Sequence, residues 1–396
     1  MRAGVVFVLC ALLGGCAQQR EPSEQSAGED LVEPEGASEG RDASRAADAE
    51  EPPDATGDDG AAGAPAGQRL PDTVLSPTMD PVQQACGGEC GDGSACIGSR
   101  CLETVAEAQR VNAMTAADAV LVWVDELEGR ITKLGLPDGE LQVLADGLTS
   151  PGSPMIANGS VFWMRVGDGK FDIESVPLRG GEVRHRIEVS GEPGDFDVDE
   201  THLYYADEDT VFRLTLDGEQ APEPVVTGDD RVATDASRFV GSISLMDTHV
   251  YWLSHESLGR SLKDGSEHEL ITRTVDLSQG MITSQGGLYW EVMGQRVGIQ
   301  GLAAGGDRAL DLAWVEDGVG VSSHVADESH VFWIYEAEDG HEALLRTAAA
   351  GGTTETLLEG PGLISAVVAV YGDDLYLAPL GPLASEAGPI VRLPKP

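Results

Sequence analysis

The chain has 396 residues, 68 of them Asp or Glu against 25 Lys or Arg, for a formal charge of −43 at neutral pH. Binding nucleic acid means neutralising phosphates with Lys and Arg, and Lys stands at only four positions, 133, 170, 263 and 395. Nucleic acid is therefore excluded as a partner, whereas cationic partners are favoured.

Met1-Arg2 and the apolar run from Ala3 to Leu13 form a charged start and an eleven-residue hydrophobic core. That core is too short to span a bilayer as a mature helix and predicts an export signal over residues 1–15. It ends in Leu13-Gly14-Gly15-Cys16, which resembles the lipobox of bacterial lipoproteins. The resemblance implies cleavage before Cys16 and acylation of its thiol and new amine, and such chains together make a stable anchor. Ala17 stands where family members kept in the inner membrane usually carry Asp. The expected location is thus the outer membrane, facing the periplasm or the cell surface.

The stretch from Ala17 to Ala85 holds sixteen acidic residues, four basic ones (Arg20, Arg41, Arg45, Arg69) and no aromatic. It cannot bury enough apolar surface to offset the entropy of ordering it. Residues 16–85 are expected to form a lipidated, disordered, self-repelling tether.

Cys86, Cys90, Cys96 and Cys101 follow within sixteen Gly-rich residues, 86–101. An even cysteine count in an exported chain predicts two disulfides. A four-thiolate zinc site is the competing reading, but the CxxC pairs usual in such sites are missing. Three pairings remain open. First-to-third with second-to-fourth is expected, because pairing neighbours would close very small loops.

From residue 102 to 396 one phrase recurs seven times: Val122-Trp123, Phe162-Trp163, Tyr204-Tyr205, Tyr251-Trp252, Tyr289-Trp290, Phe332-Trp333 and Leu375-Tyr376. Second positions are 40, 42, 47, 38, 43 and 43 residues apart. Strand-like repeats of this period predict an all-β, seven-bladed β-propeller, one four-stranded sheet per repeat. In the second repeat the strands fall at 153–158, 160–166, 171–178 and 182–189. Turns such as Asp217-Gly218, Asp264-Gly265, Gly305-Gly306 and Gly351-Gly352 suit tight hairpins, which need positive φ. Five of the six Trp lie in the seven pairs. They are read as core wedges between sheets rather than as a ligand platform.

The last repeat lacks a fourth strand, since only Ile390 to Leu393 remains before Pro394. Glu103-Thr104-Val105-Ala106-Glu107 mimics the fourth strand Glu355-Thr356-Leu357-Leu358-Glu359. Residues 102–107 are expected to pair with the strand around Ile390 and close the ring, removing two exposed edges. The repeats resemble the YWTD-like and related bacterial propeller repeats over residues 102–396. They lack the Thr-Asp of the receptor form, since Val124-Asp125 follows Trp123 and Leu253-Ser254 follows Trp252.

Candidate chemistry is sparse. No GxSxG elbow, HExxH helix or phosphate-binding Gly loop occurs, so no catalytic residue and no cofactor is assigned. His202, His249 and His330 precede their pairs in near-identical contexts and belong to turns rather than to a shared metal site. Asp195, Asp197 and Asp199 alternate along one strand but lack the loop of a calcium motif, so no metal is expected. Contacts to a ligand are expected at the channel mouth where chains enter the innermost strands: Asp195, Arg238 and His324. The expected function is a monomeric, membrane-tethered, non-catalytic scaffold for an envelope protein, peptide or glycan. The alternative is a channel-mouth enzyme of the lyase or hydrolase kind, resembling virginiamycin B lyase in repeat style.

Overall fold

The computed structural model describes residues 86 and 90–396 except 168–169, 192, 219, 228–239, 255–256, 274–279, 294–295, 317, 361–362, 364–365 and 380–387. The export signal, Cys16, the acidic segment and Arg238 lie outside the described residues. Among the described residues, every regular element is a strand, and no helix is long and apolar enough to cross a membrane.

The strands form a seven-bladed β-propeller. Blade one uses Val111–Ala117, Val120–Asp125, Arg130–Gly135 and Leu141–Ala145 in order from the innermost strand outward. Blades two to six repeat the meander over residues 155–189, 193–226, 240–273, 281–315 and 318–359. In blade two the strands are Met155–Ala157, Ser160–Gly167, Lys170–Pro177 and Arg184–Val189, close to the periodicity reading. The Gly turns take positive φ at Gly180, Gly218, Gly265, Gly305 and Gly351, as tight hairpins require.

Blade seven closes the ring. Val367–Tyr371, Asp374–Ala378 and Gly388–Pro394 are its first three strands, and Arg100–Ala108 is its fourth. Thr104 lies opposite Val391 and Ala106 opposite Ile390 in an antiparallel ladder. A fifth strand, Ser94–Ile97, pairs outside the closing strand. Disulfides Cys86–Cys96 and Cys90–Cys101 staple this hairpin, with Cα atoms 6.0 and 5.6 Å apart. The Cys-rich segment is therefore built into the sheet. Ile97 and Leu102 extend into the core between blades six and seven.

Seven apolar clusters fill the seven gaps between blades, and each contains a first-position residue of one blade and a second-position residue of the next. The pairs are Val122 with Trp163, Phe162 with Tyr205, Tyr204 with Trp252, Tyr251 with Trp290, Tyr289 with Trp333, Phe332 with Leu377, and Tyr376 with Trp123. Successive residues of a strand point to opposite faces, so one dipeptide wedges both neighbouring gaps.

The seventh dipeptide is thereby Tyr376-Leu377, one residue later than the aromatic spacing places it. Tyr376 faces Arg392 across the sheet, as Tyr204 faces Arg213 and Tyr251 faces Arg260. Leu375 and Leu377 flank the lone ring symmetrically, and hydrophobicity alone does not separate the two phases.

A second set of ties joins blades through polar atoms. Lys133 donates to the Leu178 carbonyl. Arg186 donates to Leu216 O at 2.9 Å, Arg213 to Lys263 O at 2.8 Å, Arg260 to Gly306 O at 2.8 Å and Arg346 to Pro396 O at 2.9 Å. Every acceptor sits just beyond the third strand of the following blade. Buried carbonyls at hairpin ends need such partners.

Candidate functional site

The innermost strands line the central channel, and their polar groups divide into those spent between blades and those left over. Asp195 is in the innermost strand of blade three, Pro193–Val198, and is 1% exposed. Its Oδ2 accepts Ser242 Oγ at 3.0 Å and the Ile243 amide at 3.4 Å from blade four, while Oδ1 accepts the Phe196 amide. Ser242 Oγ in turn accepts the Met281 amide of blade five at 3.2 Å. Two residues on, Asp197 Oδ2 accepts the Leu245 amide at 2.7 Å. Both carboxylates thus strap adjacent innermost strands.

Asp199 ends the alternation in a different role. Its Oδ1 accepts the amides of Thr201 and His202, both at 2.8 Å, and Lys263 of the next blade stands 3.1 Å from Oδ2. Asp327 repeats this at blade six, holding the amides of Ser329 and His330 at 2.8 Å and pairing with Lys395 at 2.7 Å. His202, His249 and His330 each place Nδ1 beside the preceding hydroxyl, of Thr201, Thr248 and Ser329. The three histidines sit in separate turns.

These environments push two carboxyls in opposite directions. Burial raises Asp195 well above the usual carboxylate range, and its hydrogen bonds only partly oppose that. Burial also acts to raise Asp199, but the Thr201 and His202 amides and Lys263 overcome it, bringing the group down to about 2.

At the end formed by the turns between first and second strands, the channel holds a cavity of about 270 Å³. Met155, Phe196, Ile243 and Met281 give it apolar walls, Ser244 and Thr283 add hydroxyls, and Asp118, Asn158, Asp197 and Glu200 stand along it. Among the described residues, no Lys or Arg lines it. The cavity suits a neutral or cationic ligand with an apolar body. Phe196, Ile243 and Met281 stand at the level that His324 takes in its own blade, so the cavity reaches that level, although His324 does not line it.

His324, on the innermost strand of blade six, Gly318–Ala326, is 4% exposed. Its Nδ1 lies 3.3 Å from Glu291 Oε2 of blade five, looser than a mature hydrogen bond. Burial lowers the affinity of the imidazole for a proton, and Glu291 partly restores it. Among the described residues, His324 Nε2 is buried with no hydrogen-bond partner, and so are the hydroxyls of Ser322 and Ser323 on the same strand. A register shift between Val321 and Ser323 precedes it, as shifts precede Met114 and Ile243 in blades one and four.

Of the three contacts anticipated at the mouth, Asp195 and His324 are thus separated by blades four and five. Glu291 was not anticipated. Its signal is legible on inspection: in the other blades the residue after the second wedge position is Val124, Met164, Ala206, Leu253, Ile334 or Ala378. Among the groups able to hold a metal ion, the described residues offer only Cys86, Cys90 and Cys101 together, and these are disulfide-bonded.

No family model matches the chain, and no curated protein does. Its fold is found in a solved structure of low sequence identity. A chain from the crystal structure of a mitotic checkpoint complex superposes with a TM-score of 0.52 at 12% identity, over 74% of this chain and 95% of that one. A computationally designed protein, Ika8, gives a TM-score of 0.48 at 10% identity, over 73% of this chain and 99% of its own.

Proposed function

We propose that the chain is a lipid-anchored, non-catalytic propeller of the bacterial cell envelope, held at the outer membrane through Cys16, that presents its ring to a protein, peptide or glycan. The observation that carries the binding part is the 270 Å³ cavity at the turn end of the channel, concave, mixed in polarity and lined by no cation among the described residues, the form that ligand sites take. The lipobox resemblance supports the anchor, and the acidic segment before residue 86 supports a spacer between membrane and ring.

Crosslinking in intact cells followed by affinity capture tests this. Ala157→Trp, which fills the cavity from a half-buried wall position, is expected to abolish capture of the crosslinked partner while leaving the fold intact. Undiminished capture would move recognition away from this end. One observation favours the lyase- or hydrolase-like reading, the buried pairing of Glu291 with His324.

A further inference from the structure

The wedge between blades five and six differs from its counterparts at one level. Opposite the second wedge residue of each blade stands an innermost-strand residue, and these are Met114, Phe196, Ile243, Met281 and Val368 in five blades. Each packs in one apolar cluster with the residue that follows the second wedge position of the preceding blade: Ala378 with Met114, Met164 with Phe196, Ala206 with Ile243, Leu253 with Met281, and Ile334 with Val368. In blade six the residue opposite Trp333 is His324. In blade five the residue after Trp290 is Glu291. Two independent departures from an apolar pattern therefore meet, 3.3 Å apart, in a single wedge.

A well-packed ring gains nothing from this exchange. Replacing a buried ionisable pair by apolar residues of similar size is often neutral or stabilising, and five other wedges here show that the fold accepts apolar residues at these places. A carboxylate beside Nδ1 fixes the imidazole as the Nδ1–H tautomer and leaves Nε2 an acceptor, the arrangement in which histidine binds a proton donor or a ligand. Here Nε2 is unpartnered, and so is the hydroxyl of Ser322 two residues before it. Along the strand, exposure rises from buried His324 through half-buried Ser322 to exposed Val319.

We propose that Glu291 and His324 form a ligand-binding pair inside the channel wall, level with Phe196, Ile243 and Met281 of the other blades, in which Nε2 accepts a hydrogen bond from a hydroxyl of a neutral saccharide. The charge of −43 disfavours anionic ligands. The wedge around the pair, with Ile282, Tyr289, Trp333 and Tyr335, favours a neutral donor over an ammonium, because a charge loses more hydration on burial than a hydroxyl does. The inference names a ligand class for the binding scaffold and rests on that reading.

Imidazole nitrogen NMR on the full chain labelled at histidine tests it, with maltotriose as probe and propylamine as the cationic control. The expected result is an Nδ1–H tautomer for His324 and an Nε2 resonance that moves saturably with maltotriose and not with propylamine. An Nε2–H tautomer, a response to propylamine alone, or no response to either overturns the proposal. The paired change Glu291→Leu with His324→Met copies the Leu253–Met281 wedge, and is expected to keep or raise Tm while abolishing the maltotriose response seen by calorimetry. A lowered Tm would show the pair to be structural. Ala157→Trp separates the two readings: Ala157 lines the cavity and His324 does not, so it is expected to abolish partner capture while leaving maltotriose binding at His324 untouched.

Discussion

Asp195 and Asp199, four residues apart, show how placement decides what a carboxyl does. Asp199 is held at about 2 by two backbone amides and Lys263, below its value in an unfolded chain near 4. A depressed carboxyl contributes stability that is present above the unfolded value and lost as pH falls toward the folded one. Stability against urea is thus expected to fall by up to about 2 kcal/mol between pH 4 and pH 2 through this group. Asp199→Asn should lower stability at pH 7 and flatten that acid limb, and an acid limb as steep as in the parent would refute the assignment. Asp195 has the opposite sign, since its raised value favours the protonated form and gives nothing to acid sensitivity. Close packing governs a neighbouring case. Gly259 lies opposite Trp252, and a Cβ there would stand 2.3 Å from the indole ring. Gly259→Ala is expected to push Trp252 from its gap at a cost of about 2–4 kcal/mol, within the range for disrupted aromatic packing, read as a shift in the urea midpoint.

At the scale of strands, the arginine ties rank differently from the ion pairs drawn beside them. Arg260 pairs with exposed Glu269 at 2.7 Å and also donates to the Gly306 carbonyl of the next blade. An exposed ion pair contributes about 0–1 kcal/mol, whereas removing the donor leaves a part-buried carbonyl unmatched at about 1–3 kcal/mol. Arg260→Ala is therefore expected to destabilise more than Glu269→Ala, and equal losses in chemical denaturation would place the energy in the ion pair instead. What the chain revealed in advance follows the same division. Blade count, hairpins and the closing strand were legible because aromatic spacing and Gly turns are local signals. The inter-blade bonds of Asp195, Asp197 and the arginines were not, because each depends on a partner 30 to 50 residues away whose lateral register the sequence does not display. His324 was legible as a histidine on an innermost strand. Glu291 was hidden until the strand phases were aligned, since only then does its place in an otherwise apolar column show.

For the whole molecule, closure is the step on which the other ties depend. The first six sheets each complete themselves from consecutive strands, but blade seven takes its fourth strand from Arg100–Ala108, so the two distant parts of the chain meet in one ladder. Glu103 and Arg392 pair across it, Arg100 donates to Leu357 O at 3.3 Å toward blade six, and Lys395 reaches Asp327 of that blade. The two disulfides lie outside this ladder in the hairpin, where they hold Ser94–Ile97 over the edge of the closing strand. Reduction should therefore loosen the hairpin and lower Tm, by an amount equivalent to about 2–5 kcal/mol, while the ring stays monomeric. Deleting residues 86–108 goes further and strips the outer edge of Gly388–Pro394, and an unpaired edge recruits other strands. Light scattering is expected to find reduced protein monomeric and the deletion dimeric or aggregated. A deletion that remained monomeric with an unchanged Tm would mean that the inter-blade wedges alone, without the shared sheet, hold the ring closed.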